Sequence, residues 1–485
     1  MFRPLAVVHP LALIVMIFSV TMLAPLGVSL YYGDGAEAIY GEALAFTFGA
    51  GLIAWLLTRR HQRELAPRDG FLLVTLVWTV LPAFATIPLL LYLPGLSFTD
   101  AYFETMSGIT TTGATVLSGL DSLPRSINLW RSELVWLGGM GLIVLAVAIL
   151  PLLGVGGMQI YKAETPGPMK DTKLTPRIAQ TAKGLWLIYF GISAACLLAY
   201  RLAGMSWFDA VCHAFSTMGL GGFSTHDTSF GEFNSVAIEV VAIIFMLVAG
   251  MNFATHFTAW REKSPRAYRA DPEAGMFVLV TLGGSLAIAV FLWTKAVYPD
   301  FWTALRFATF NTVSIATTTG FANTDYNQWP IFAPMLMLML CCFASSSGST
   351  GGGIKMVRAE LLVRQGLREM TRLLHPQAQV PVKLGGTVVP NQIVYAVLAF
   401  MSLYGACVIV MTFLLMGSGL DAVTAFSAII ATINNTGPGL NQVGPATTYA
   451  SLTDFQTWVC TVAMLAGRLE LFTLFVVLTP AFWRK

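Results

Sequence analysis

Four short glycine-centred motifs recur along the chain, and their spacing constrains its fold more than any other feature. TTTGAT occupies 110–115, GLGGFS 219–224, TTTGFA 317–322 and NNTGPG 434–439. The residue twelve positions before each motif glycine (Gly113, Gly222, Gly320, Gly437) is alanine: Ala101, Ala210, Ala308 and Ala425. A unit that returns in this way is an internal repeat, so one local structure is expected to be used four times.

The segments between the motifs indicate the medium. Of 485 residues, 56% are hydrophobic and 11% charged, far from the balance of a soluble domain. Apolar runs fall at 11–30, 43–57, 71–93, 134–153, 185–202, 236–257, 276–293, 331–344, 393–416 and 455–482. Most are long enough for a helix to cross about 30 Å of hydrocarbon, so about ten spans are expected in a lipid bilayer. The first run follows Arg3 but continues without a convincing cleavage site before Tyr31 and Tyr32, and reads as a retained helix. Cys196, Cys212, Cys341, Cys342, Cys407 and Cys460 lie in or beside apolar segments with no CxxC spacing, the pattern of buried free thiols.

Charge orients the chain. Basic residues concentrate in alternate loops: Arg59, Arg60, Arg63 and Arg68; Lys162, Lys170, Lys173, Arg177 and Lys183; Arg261, Lys263, Arg266 and Arg269; Arg358, Arg364, Arg368, Arg372 and Lys383. The intervening loops carry acids such as Asp34, Asp121, Asp227, Asp325 and Asp454. The positive-inside rule then places the basic loops and both termini in the cytoplasm, and all four glycine motifs open to the outside.

Residues 1–70 form a helical hairpin outside the repeat. Repeat one is expected at 71–153, two at 185–259, three at 276–372 and four at 391–482, each a span, a short amphipathic segment, the motif, an outer connection and a second span. The short segments (99–109, 207–218, 302–316, 421–433) cannot cross a bilayer, so they must enter and return on one side. Irregular backbone at membrane depth is tolerated only where protein buries it or a water-filled cavity faces it, and four copies around one axis would supply such a cavity. The fold class is therefore an all-α integral membrane protein: four pseudo-symmetric span, pore-helix, span repeats around a central pore, plus the hairpin. Glycine permits a positive φ and close approach at the return point. Stacked carbonyls there could replace the hydration shell of a bare cation, aided by the partially negative ends of the short helices.

The motifs TTTGAT, GGFSTHD, ATTTGFAN, NNTGPGLNQVG, GSTGGGIK, PGPMKDTKLTPRIAQTAK and GRLELFTLFVVLTPAFWR resemble those of the TrkH/KtrB/HKT superfamily of potassium-translocating subunits, over essentially the whole chain. The resemblance implies that the carbonyls of the two residues before each glycine, with the glycine itself, bind K⁺: Thr111, Thr112 and Gly113; Leu220, Gly221 and Gly222; Thr318, Thr319 and Gly320; Asn435, Thr436 and Gly437. The register of repeat two is open, because Gly219, Gly221 and Gly222 compete. Some plant members carry serine at the first glycine and admit sodium; Gly113 here implies potassium preference. The resemblance further implies a homodimer in a bacterial inner membrane, regulated by cytoplasmic TrkA-type subunits that bind nucleotide. Neither an organic cofactor nor nucleic acid is expected.

Two features could gate such a pore. The last span of repeat three is broken at 345–353, where Gly351, Gly352 and Gly353 alone disfavour helix by roughly 3 kcal/mol. The resemblance makes this stretch, with Gly348, an intramembrane gating loop; close helix packing at glycine is the competing reading, and a nucleotide P-loop fails because no Ser or Thr follows Lys355. Arg468 lies deep in the last span and would face the pore beneath the motifs as an electrostatic barrier; pairing with an acid on another helix is its alternative. Glu470, two residues on, points elsewhere. His226 and Asp227 are expected to brace the outer mouth, and Asp100, Asp209 and Asp421 to cap short helices. The rival function is a secondary K⁺ symporter coupled to H⁺ or Na⁺ by alternating access. An ATP-driven enzyme lacks a P-loop, a soluble domain and a catalytic aspartate context.

Overall fold

The computed structural model describes residues 5–61, 66–144 and 178–484. Arg3, Arg63, Lys162, Lys170, Lys173, Arg177, Lys485 and the end of the expected 134–153 span lie outside them. The described chain is helical apart from one antiparallel ribbon, β1 (Lys383–Leu384) with β2 (Thr387–Val388).

Three helices come first: α1 (Leu5–Thr21), α2 (Leu23–Tyr32) and α3 (Glu37–Thr58). Next are α4 (Pro67–Tyr92), the short α5 (Phe98–Ile109) and α6 (Arg125–Val144). The chain resumes with α7 (Ile178–Leu202), the short α8 (Trp207–Gly219), α9 (Val236–Ala249), α10 (Phe253–Glu262) and α11 (Arg266–Ala270). After α12 (Pro272–Thr294) come the short α13 (Phe301–Ala316), α14 (Phe332–Phe343) and α15 (Met356–Leu374). The last set is α16 (Asn391–Gly417), the short α17 (Ala422–Ile433), α18 (Asp454–Arg468), α19 (Phe472–Leu478) and α20 (Pro480–Trp483). By length and composition six described helices can cross a membrane, or up to eight if each of two bent pairs is one span.

The N-terminal helices are fastened to α6. The Ser126 amide donates to Asp34 at 2.9 Å, and the Tyr40 hydroxyl donates to the Ser126 carbonyl at 3.0 Å. Such bonds fix the hairpin laterally where lipid-like apolar surfaces alone would give no direction.

The bent pairs correct the expectation of continuous spans at 236–257 and 455–482. Helices α9 and α10 meet at 93°, and α18 and α19 at 113°. At the first bend the backbone groups that a continuing helix would pair find partners in a distant segment. Ser346 donates its amide to the Gly250 carbonyl at 3.1 Å, and Phe253 donates to Gly348 at 3.1 Å. The Asn252 side chain caps the new helix by accepting from Ala254 at 2.9 Å. At the second bend Glu470 and Leu471 take φ of 56° and 51°, left-handed values that stop a helix.

The short helices occupy the interior. From Ala101 onward every residue of α5 is buried, as is every residue of α17 from Ser427. The alanines at 101, 210, 308 and 425 are fully buried, one in each short helix. Their starts are capped, but not all as the sequence suggested. Asp421 caps α17 directly, accepting from Val423 at 3.1 Å and Thr424 at 3.0 Å. For α5 and α8 the caps are Ser97 and Ser206, whose hydroxyls accept from the amides of Asp100 and Asp209. The two aspartates sit three residues inside, where they favour the positive helix end. Asp300 caps α13 and was not singled out.

Candidate functional site

Each short helix runs directly into its glycine motif, and the four turns are built alike. The amide two residues before the glycine donates to the carbonyl three residues back: Thr111 to Gly108, Leu220 to Thr217, Thr318 to Ile315 and Asn435 to Thr432, at 2.9 to 3.2 Å. The next amide reaches back five: Thr112 to Ser107, Gly221 to Ser216, Thr319 to Ser314 and Thr436 to Ala431, at 2.7 to 3.0 Å. Left-handed φ falls at Thr111 (55°), Leu220 (55°), Thr318 (62°) and Asn435 (55°), and again at Gly113 (82°), Gly222 (58°), Gly320 (90°) and Gly437 (97°). The shared pattern gives repeat two the register Leu220, Gly221, Gly222. Two β-branched threonines held at positive φ cost on the order of 1–3 kcal/mol each, strain that persists only where surroundings over-determine it.

The turns close on one another in a circle. A Cβ placed on Gly113 would overlap the Gly221 carbonyl oxygen, one on Gly222 that of Thr319, and one on Gly320 that of Thr436. A Cβ on Gly437 would lie 2.7 Å from the oxygen of Thr112, which returns to the first copy. All four glycines line a single cavity of about 190 Å³, together with Arg131 and Tyr449.

Buried carbonyls are almost always paired with a donor. Among the described residues none donates to the carbonyls of Thr111, Thr112, Gly113, Leu220, Gly222, Thr318, Thr319, Gly320, Asn435 or Thr436. Two of the expected oxygens are engaged: Gly221 accepts from the Phe223 amide at 2.8 Å, and Gly437 from the Tyr449 hydroxyl at 2.8 Å. Backbone oxygens without protein donors are of the chemical type that can replace water around a cation. No cluster of three or more His, Cys, Asp or Glu side chains suited to a metal ion occurs among the described residues.

Side chains nine residues before the glycine hold three of the turns from behind, a signal present in the repeat but missed in the sequence. Glu104 accepts from the Thr115 hydroxyl at 2.9 Å and the Val116 amide at 2.9 Å. His213 bonds the Ser224 hydroxyl at 2.9 Å, and Asn311 donates to Asn323 at 2.6 Å. In the fourth copy the equivalent is Ala428, and neighbouring Ser427 accepts from the Leu440 amide at 2.9 Å. Farther out, His226 bridges Asp121 and Asp209, and Asp227 accepts from Leu120 at 3.2 Å, so both residues brace the mouth.

The expected break in repeat three is present: no helix joins Phe343 to Met356. The intervening loop lies against residues that precede the glycines, hence on the face of the circle away from the cavity. Gly352 donates its amide to the Thr318 hydroxyl at 2.9 Å, and a Cβ there would overlap the Asn434 oxygen. Thr350 donates to the Met218 carbonyl at 3.0 Å. Glu273, which the sequence reading passed over, accepts from the amides of Ser347 at 2.9 Å and Val357 at 3.2 Å, one at each end of the loop.

Arg468 is 2% exposed, and its guanidinium donates to the carbonyls of Thr350 and Gly138, each at 3.0 Å. It joins the loop to α6 through carbonyls rather than through a carboxylate. Glu470 does point away, and pairs with Arg358 at 2.8 Å. Gly348, Gly351, Gly352 and Gly353 all lie in the loop; Gly348 and Gly353 have φ of 72° and 81°.

A shell of apolar membrane-length helices around four returning turns that close on one another in a circle is the build of a multi-pass membrane transport protein. The chain belongs to the TrkH family of cation transport proteins, whose family model matches residues 39–485. Curated relatives include the Trk system potassium uptake protein TrkH of Halomonas elongata, 48% identical with 98% of each chain covered. The protein of that name from Escherichia coli K12 is 45% identical over 99% of each chain, and TrkG of the same organism is 38% identical. The crystal structure of the potassium transporter TrkH from Vibrio parahaemolyticus superposes with a TM-score of 0.91 at 44% identity, covering 100% of both chains.

Proposed function

We propose that this chain is the K⁺-translocating, channel-like subunit of a Trk-type uptake system in a bacterial inner membrane. The observation that carries the reading is the closed circle of like turns with donor-free carbonyls at Thr111, Thr112, Gly113, Leu220, Gly222, Thr318, Thr319, Gly320, Asn435 and Thr436. Fixed carbonyl dipoles replace hydration at little reorganisation cost, and Gly221 and Gly437 contribute less because their oxygens already accept a bond. The long relatives named as potassium uptake proteins support the choice of ion. The 345–353 loop, with Gly348, Gly351, Gly352 and Gly353, acts as the gate, and Arg468 holds it closed by its bond to Thr350.

The same reading has both termini in the cytoplasm, two copies of the chain associated, and a TrkA-type nucleotide-binding partner on the cytoplasmic side. Translocation by this chain involves no catalysis of its own. Radiotracer uptake into liposomes is the test: K⁺ entry should persist when Na⁺ and pH gradients are absent. Entry that stops with either gradient would favour a coupled symporter.

A further inference from the structure

Arg131 stands apart in how it reaches the carbonyl circle. It sits on α6, is 1% exposed, and belongs to none of the four motifs. Its Nε donates to Glu104 at 2.8 Å, a pair in which both side chains are 1% exposed. One terminal nitrogen donates to the Thr115 hydroxyl at 3.2 Å, just past Gly113. The other donates to the Ser224 carbonyl at 3.1 Å, just past Gly222, and contacts Asn128 at 3.4 Å. The guanidinium carbon lies 4.4 Å from the centre of the Phe223 ring, which follows Gly222 directly.

The other copies are braced from within and tied to their neighbours by neutral single bonds: the Asn435 amide group donates to the Thr112 hydroxyl at 3.0 Å, and the Phe230 backbone amide donates to the Ala322 carbonyl at 3.0 Å. His213 and Asn311 each bind the segment after their own glycine, as Glu104 does. Arg131 instead grips the exits of copies one and two together, with a planar fork that a lysine cannot reproduce. Gly113 and Gly222 are the partners in this quarter of the circle: a Cβ on the first would meet the backbone of Gly221 and Gly222.

We propose that Arg131, seated on Glu104, is a positioning residue for ion selectivity: it fixes the separation of the first and second motif turns, and so the size of the cation the circle accepts. The burial of the pair keeps the geometry rigid, because neither charge can relax into water. The inference rests on the carbonyl-circle reading above.

The test compares wild type, Arg131→Lys, the neutral double variant Glu104→Gln with Arg131→Gln, and Gly113→Ser as a reference for a damaged circle. Each is purified, checked for elution and thermal unfolding, and reconstituted for K⁺ and Na⁺ flux. Arg131→Lys keeps the charge but loses the bridge from Thr115 to Ser224, and should lower the K⁺ to Na⁺ permeability ratio by about tenfold. The double variant leaves no charge buried alone and should lower the ratio similarly. A wild-type ratio in a folded Arg131→Lys or double variant, while Gly113→Ser loses selectivity, would overturn the role of Arg131 alone. A wild-type protein with no preference for K⁺ would overturn the carbonyl reading itself. Loss of selectivity in both variants with unfolding temperatures unchanged supports the proposal, since a purely structural brace would shift stability and leave the ratio alone.

Discussion

Gly113 shows how little room a motif residue has. Its φ of 82° suits glycine, and any side chain there meets the backbone of the second copy. Gly113→Ser should therefore displace one turn against the next and weaken discrimination of K⁺ from Na⁺, read as a fall in the bi-ionic permeability ratio; an unchanged ratio would remove this glycine from the selectivity argument. His226 makes a second residue-scale prediction. Its bond to Asp209, and then that to Asp121, raise it from 6.5 to about 9 against the opposing effect of burial. A histidine raised on folding stabilises fully below its unfolded value and loses that contribution as pH climbs through about 9. The melting temperature should thus fall from pH 6.5 to pH 9.5 more steeply in wild type than in His226→Gln; equal slopes would mean the bridge carries no linkage. His226 was legible as a mouth brace because it follows the motif directly. Glu104 and Arg131 were not, because each looks like a stray charge until the turn that they hold is in place.

The short helices were readable as elements because each is too short to cross a bilayer, carries an alanine twelve residues before its glycine and has a polar start. Their boundaries agree with expectation to within a residue or two. The broken helices divide differently. The 345–353 break was visible because clustered glycines carry a local cost of roughly 1 kcal/mol each in a helix. The bends at 250–252 and 469–471 carry no such cluster. They exist because the loop supplies hydrogen bonds to Gly250 and Phe253, and because Arg468 is held by Thr350 and Gly138. The loop is therefore one knot of three chain segments, clasped at both ends by Glu273. Deleting residues 348–353 should raise K⁺ flux in protein that retains wild-type elution and unfolding. Equal or lower flux in folded protein would count against a gate at this position.

At the scale of the molecule, a fixed circle of carbonyls predicts conduction without a coupled gradient. Continued K⁺ entry into liposomes with Na⁺ and pH gradients collapsed is the expected outcome, and arrest would move the molecule to the alternating-access class. The medium and the fourfold recurrence were set by the sequence alone, because hydropathy and self-similarity are properties of the chain that need no partner. The same holds for the left-handed glycine positions, since a local φ preference is written at one residue. Tertiary structure decided the rest: that the four turns meet in a circle, that copy two registers on Leu220, Gly221 and Gly222, and that Arg131 and Arg468 end on carbonyls of distant segments. Those outcomes depend on which oxygens are left without donors after the helices have packed, a quantity that no stretch of sequence holds by itself.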